Sequence, residues 1–136
     1  MPNWPPIDPL NRNENTQPQT FEVIHTQIPH TIMASLNDIQ SLIEIALYGG
    51  GDWIEKIRYP DDIKSRDEAV KQLWLADSYI EFKPYDDQPH PLTRRGLIDA
   101  IKAEPEMYES VISGEGDQID ADQILQLALF NEVVFG

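Results

Sequence analysis

Ser35-Leu-Asn-Asp-Ile-Gln-Ser-Leu-Ile-Glu-Ile-Ala-Leu-Tyr-Gly-Gly-Gly-Asp-Trp-Ile-Glu-Lys-Ile-Arg-Tyr-Pro60 holds, in one stretch, a helix, its stop and a strand. Ser35 followed three residues later by Asp38 is close to a capping box, in which a hydroxyl and a carboxylate satisfy the first free N–H groups of a helix. Ile39, Leu42, Ile43, Ala46 and Leu47 then recur at spacings of three and four, the period of one helix face. Gly49, Gly50 and Gly51 end the run, since glycine enters the left-handed cap conformation without steric cost. From Trp53 to Tyr59 the residues alternate, Trp53, Glu55, Ile57 and Tyr59 against Ile54, Lys56 and Arg58, which predicts a half-buried strand closed by Pro60.

The pattern continues on both sides. Upstream, Phe-Glu-Val-Ile-His-Thr-Gln-Ile at 21–28 reads as a strand ended by Pro29. Downstream, Ser65 with Glu68 opens a second helix to about Leu75, Tyr79 to Lys83 reads as a strand, and Asp86 to Pro91 as a loop. Thr93 caps a helix that buries Leu97, Ile98 and Ile101. Pro105 opens another, carrying Met107, Tyr108, Val111 and Ile112. Asp120 is predicted to cap the last helix, Ala121 to about Phe130, with a short final strand at Glu132 to Phe135. Helices and strands mix without regular βαβ alternation, so the expected fold is α+β. It is a single domain over 21–136 with a small antiparallel or mixed sheet and four to five short helices. Residues 1–20, with Pro2, Pro5, Pro6, Pro9 and Pro18 among Asn, Gln and Thr, read as a disordered arm in which Trp4 is the one large apolar group.

The chain has 136 residues, no cysteine, and 24 acidic against 10 basic residues, a formal net charge of −14. Without cysteine there are no disulfides, thiolate metal sites or cysteine nucleophiles, which fits a reducing cytoplasm. Neither a signal peptide nor a membrane span is expected. The charge repels nucleic acid and anionic lipid, and it either favours basic protein surfaces or serves only to keep the protein soluble. It is also unevenly placed. From Ala103 to Gly136 there is no Lys, Arg or His, while Glu104, Glu106, Glu109, Glu115, Asp117, Asp120, Asp122 and Glu132 all lie there. Arg12 apart, the basic residues run from Lys56 to Lys102.

Motifs for chemistry do not assemble. The triple glycine follows a helix rather than a strand, and no Gly-Lys-Ser/Thr closes it, so it is a helix stop and not a phosphate loop. His25, His30 and His90 lack the spacing that puts two ligands on one helix face, and each reads as solvated. A calcium loop started at Asp117 would place Ile119 and Ala121 where oxygen ligands belong. Asp61-Asp62 and Asp86-Asp87 fall in loops rather than in an apolar site that could split their pKa values. No serine sits in a Gly-x-Ser-x-Gly elbow. The basic run Lys56, Arg58, Lys64, Arg66 and Lys71 is broken by Glu55, Asp61, Asp62, Asp67 and Glu68, against direct binding of DNA or RNA. No catalytic residue, metal or cofactor is expected.

Two segments, Ala46-Leu-Tyr-Gly-Gly-Gly-Asp-Trp-Ile54 and Ile119-Asp-Ala-Asp-Gln-Ile-Leu-Gln-Leu-Ala-Leu-Phe-Asn-Glu-Val-Val-Phe-Gly136, resemble a group of uncharacterised small acidic proteins carried by phages and plasmids. In that group a helix ends in a Gly-Gly turn before an aromatic strand, and the chain closes on Phe-x-Glu-Val-Val-Phe/Tyr-Gly. Here the stop has three glycines, and the proline-rich arm is peculiar to this chain. The resemblance implies a mobile-element context and brings no catalytic residue.

Three functions are consistent with these features, in order. The first is an accessory protein that binds a basic protein partner, such as a host nucleic-acid-binding defence enzyme, by presenting a DNA-like negative surface. Glu106, Glu109, Glu115, Asp117 and Asp122 would form its partner-binding patch. The second is a structural or assembly protein that self-associates through an apolar face drawn from Trp53, Tyr59, Trp74, Tyr79 and Tyr85, most of which are expected in the core. The third is a small carboxylate-based enzyme. The oligomeric state stays open.

Overall fold

A computed structural model describes residues 19–25, 31–49 and 51–136. The first strands, β1 (Thr20–His25) and β2 (Thr31–Ser35), form an antiparallel pair in which Phe21 faces Ala34 and Ile24 faces Ile32, with a bulge between Glu22 and Ile24. Helix α1 (Leu36–Gly49) follows β2 directly. The second sheet contains β3 (Ile54–Arg58), β4 (Tyr79–Pro84) and β5 (His90–Thr93), antiparallel and in that order. Helix α2 (Arg66–Ala76) connects β3 to β4. Helices α3 (Arg94–Ala103), α4 (Pro105–Ser113) and α5 (Gln118–Phe130) complete the chain. The whole is one α+β domain, as expected.

The capping motifs act where the sequence places them. Asp38 N–H donates to Ser35 Oγ at 3.1 Å and Ser35 N–H to Asp38 Oδ2 at 3.3 Å, so the first box is reciprocal. In the second, Glu68 N–H donates to Ser65 Oγ at 3.2 Å, while the Glu68 carboxylate accepts from Gln72 instead. Thr93 Oγ1 accepts from Gly96 N–H at 3.0 Å, opening α3. At the α1 stop, Gly51 has a φ of 80°, the left-handed region expected within the triple glycine.

Helix α1 lies at the centre and buries Ile39, Leu42, Ile43 and Ala46 against α5 and α2. The three-stranded sheet adds Ile80, Phe82 and Leu92, and the later helices add Leu97, Ile101, Tyr108, Val111, Ala121, Ile124 and Leu125. Trp74 is fully buried, its indole N–H donating to Gln19 O at 3.2 Å and its ring meeting Phe21 edge-on at 5.0 Å. The α3–α5 crossing is close enough that a Cβ on Gly96 would lie 2.5 Å from Ala128 O.

Several expectations are corrected. Strand β2 was not predicted; its five residues are paired by β1 across the sheet rather than announced by local pattern. Strand β5 lies where a loop was expected. Pro91 is tolerated there because β5 is an edge strand, where a missing N–H costs no ladder bond. The last helix begins at Gln118, and Asp117, not Asp120, is its N-cap, with Oδ1 accepting from the N–H groups of Ile119 and Asp120 at 3.1 Å each. Asp117 is the residue in extended conformation, which alone lets a side chain turn back on the first turn. Residues 132–135 form no strand. His90 is not a freely solvated loop histidine: its ring packs edge-on against Phe130 at 4.8 Å, with Nε2 3.2 Å from Asp87 Oδ2. Most of the predicted arm, with Trp4 and Arg12, lies outside the described residues, as do His30 and Pro29; Gln19 and Thr20, assigned to the arm, belong to the fold.

Candidate partner-binding site

The acid-only segment folds into two adjacent helices, α4 and α5. Pro105 starts α4 because its missing N–H would have no intrahelical partner in the first turn. Tyr108 and Val111 then face the core, and Met107 and Ile112 are half-buried beside them. This spacing leaves Glu106 exposed in the first turn, where the helix dipole favours an acid, and Glu109 partly exposed one turn on. Glu104 precedes the helix and Glu115 follows it, both exposed.

The five predicted patch residues have different roles. Glu106 and Glu115 are solvent-facing side chains. Glu109 borders a groove between β2 and α4, shared with Ile32, Met33, Asp38, Tyr108, Ile112 and Ser113. Asp117 is committed to capping α5. Asp122 is half-buried and acts structurally, accepting the Trp53 indole N–H at 2.9 Å and Gln126 Nε2 at 2.7 Å. Trp53 comes from the β3 side of the glycine stop, 69 residues away in sequence. The position of Asp122 at the start of the last helix carried no signal of that donor.

Around Asp122 lies a clasp that the sequence did not reveal. Gln126 is fully buried. Its Oε1 accepts from Val134 N–H at 2.9 Å and Phe135 N–H at 2.8 Å, and its Nε2 donates to Phe135 O at 3.1 Å as well as to Asp122. One amide side chain thus does for residues 134–135 what a neighbouring strand would do. The Phe135 ring, held by these bonds, stacks on Trp53 at 5.1 Å with the planes 2° apart, and Phe130 meets both edge-on. A cleft beside the clasp is lined by Trp53, Ile119, Asp122, Val133, Val134 and Phe135, among others. Ile119, Val133 and Val134 are exposed there, at 61%, 45% and 52%.

Four of the nine basic residues of the middle segment are paired with neighbouring acids. Arg58 pairs with Glu81, Lys83 with Glu55, Arg94 with Asp77 at 3.7 Å and Arg95 with Asp99 at 3.6 Å. Glu104, Glu106 and Glu115 have no ion pair among the described residues. The Asp87 carboxyl is held below the ordinary aspartate range by the Gln88 backbone N–H and then by His90. Asp62 and Asp86 adopt positive φ, in keeping with turns. Among the described residues, no helix is long and apolar enough to cross a membrane, and no group of three His, Asp or Glu residues is placed to hold a metal ion. No family model, curated protein or solved structure matches the chain.

Proposed function

We propose that this chain is a protein-binding module whose acidic α4–α5 segment meets a basic surface. The observation that carries the reading is the separation of charge. No cation lies between Ala103 and Gly136, and four of the nine cations of the middle segment are paired with neighbouring acids, whereas Glu104 and Glu106 at one end of α4 and Glu115 at the other are exposed, with no ion pair among the described residues. The nine-residue α4 is roughly 13 Å long at 1.5 Å per residue, so acids at its two ends are separated on the scale of several phosphates along a duplex. A basic nucleic-acid enzyme is the partner class that suits such a surface, and the resemblance to phage and plasmid proteins supports a mobile-element setting in which blocking a host defence enzyme is useful. The electrostatic part of such binding falls with ionic strength.

The test is capture of host proteins on the immobilised chain at low and high salt, beside the triple variant Glu104→Gln, Glu106→Gln, Glu115→Gln. These positions replace Asp117 and Asp122, whose structural roles would confuse the result. Enrichment of a basic nucleic-acid-binding protein that is lost at high salt and weakened by the variant supports the reading. Equal capture by both chains under both conditions refutes it.

A second reading has its own observation. Ile119, Val133 and Val134 expose apolar surface around the clasp; of the residues named from sequence for an assembly face, Trp53 and Trp74 are core, while Tyr79 and Tyr85 are exposed. Self-association through this surface would be insensitive to salt and would show as a concentration-dependent mass in sedimentation, abolished by Val134→Lys.

A further inference from the structure

The cleft beside the carboxyl-terminal clasp combines apolar side chains in solvent with negative charge that no ion pair cancels. Its volume is about 620 Å³, within the range of clefts that take ligands. Ile119, at the start of α5, and Val133 and Val134, in the tail, line it and are exposed. The tail is not a loose end. The fully buried Gln126 gives its Oε1 and Nε2 to the backbone of residues 134 and 135, which satisfies an amide that would otherwise be costly to bury. The same bonds seat Phe135 on Trp53, which accounts for Phe135 but not for the two valines before it. Their result is apolar surface held in a fixed place in solvent. A surface ordered in advance loses less conformational entropy when a partner arrives.

The charge around the cleft decides what suits it. Asp52 and Asp122 line it, and among the described residues no Lys, Arg or His does. Asp52 is exposed, and neither carboxylate is in an ion pair among the described residues. Asp122 accepts from the Trp53 indole and the Gln126 amide, two neutral donors that leave its charge in place. A second copy of the chain would bring the same two carboxylates to an isologous contact, together with its own net charge of −14. Like charges facing each other disfavour that pairing. A segment with Lys or Arg on both sides of an apolar side chain meets both features. Its apolar side chain would lie among Ile119, Val133 and Val134 and its cations beside Asp52 and Asp122, with their stems along the apolar rim. We propose that this cleft receives an apolar side chain of the protein partner flanked by basic residues. This rests on the basic-partner reading above and adds to it an apolar anchor that none of Glu104, Glu106 and Glu115 lines.

The test uses the full chain, labelled with nitrogen-15, and a capped pentapeptide with leucine between two pairs of lysines. One control peptide carries glycine in place of leucine, and another carries glutamate in place of every lysine. The lysine–leucine peptide should give saturable shifts, in the millimolar range, at the amides of Asp52, Ile119, Gln123 and Val133 and at the Trp53 indole. The glycine control should bind about fivefold more weakly, as expected for loss of one partly buried apolar side chain, and the glutamate control should give no shift. Ile119→Ser should likewise weaken binding about fivefold. Asp52→Asn should weaken it about threefold at low salt and leave it unchanged at high salt. Ile119 and Val133 are exposed, so Ile119→Ser and Val133→Ser should keep the wild-type melting temperature, and weaker binding by either folded variant is attributable to the cleft. The triple Gln variant leaves every lining residue intact and should bind the pentapeptide as the wild type does, so the acidic-surface reading can fail without this one failing. Salt-sensitive capture of a host protein with no pentapeptide shift at the cleft would refute this assignment and leave the acidic-surface reading standing. Equal affinity for either control peptide, shifts confined to residues outside the cleft, or a wild-type dimer dissociated by Val134→Lys would each overturn it.

Discussion

Replacing Gln126 by Met tests whether one side chain holds the carboxyl-terminal tail in place. Met is unbranched, comparable in length and a similarly good helix former, so the change removes hydrogen bonds while nearly preserving shape and helix propensity. Four contacts disappear: two N–H donors from Val134 and Phe135, the Phe135 carbonyl, and the Asp122 carboxylate. Neutral bonds contribute about 1 kcal/mol net and a bond to a charged group about 2 kcal/mol, so simple addition gives about 5 kcal/mol. The actual loss should be smaller, because members of one network are not additive and a freed chain end can rehydrate its backbone. Against that, release of the tail also loses the Phe135–Trp53 stack, about 1 kcal/mol. A destabilisation of about 3 kcal/mol is expected, a fall of about 10 °C in melting temperature for a domain of this size. Urea denaturation gives the free energy, and hydrogen exchange reads the Val134 and Phe135 amides directly. Gln126→Glu should cost more, because it sets a second carboxylate against Asp122 and removes the only donor between them. A loss below about 0.5 kcal/mol in Gln126→Met, with both amides still protected, would refute the clasp as a stabilising element.

Gly96→Ala should destabilise by about 1–3 kcal/mol, since the new Cβ would meet the Ala128 carbonyl and force α3 and α5 apart; unchanged denaturation would show that the crossing is not tight. Asp117→Ala should cost about 1 kcal/mol in urea denaturation and Asp120→Ala only about 0.5 kcal/mol, because the first removes a cap and the second only a favourable charge near the helix dipole; the reverse order would restore Asp120 as the cap. The Asp87 carboxyl, followed by carbon-13 NMR, should titrate below the ordinary aspartate value. A depressed folded-state pKa means that its contribution to loop stability is complete above about pH 4 and is lost as pH falls through the folded value. His90→Ala should reverse the depression only in part, since the Gln88 N–H is its larger cause, and a titration at the ordinary value in the wild type would contradict the assignment.

Sequence alone was sufficient where the interaction is local. Ser35 with Asp38, Ser65 with Glu68 and Thr93 with Gly96 are three residues apart, and the hydroxyl and amide that meet in each helix cap are brought together by the turn itself. The inward faces of α1, α3 and α4 follow from the helix period, and the α+β class follows from the helix, glycine stop and strand between Ser35 and Pro60. What the tertiary structure alone decided involves partners far apart in the chain. Strand β2 exists through β1, and β5 through β4; neither has enough local β signal to announce itself, and Pro91 argued against the second. Asp122 reads as one more surface acid until Trp53 arrives from 69 residues away. Gln126 reads as a polar break in an apolar helix until the chain end folds back onto it. Tyr108 was correctly placed inward, but the helix period says nothing about its hydroxyl, which has no hydrogen-bond partner among the described residues. Helix periodicity reports which side of a residue is buried; it carries no information on which donor or acceptor a folded neighbour brings to it, and in this protein that distinction separates exposed acids such as Glu106 and Glu115 from Asp117 and Asp122, which are committed to the fold.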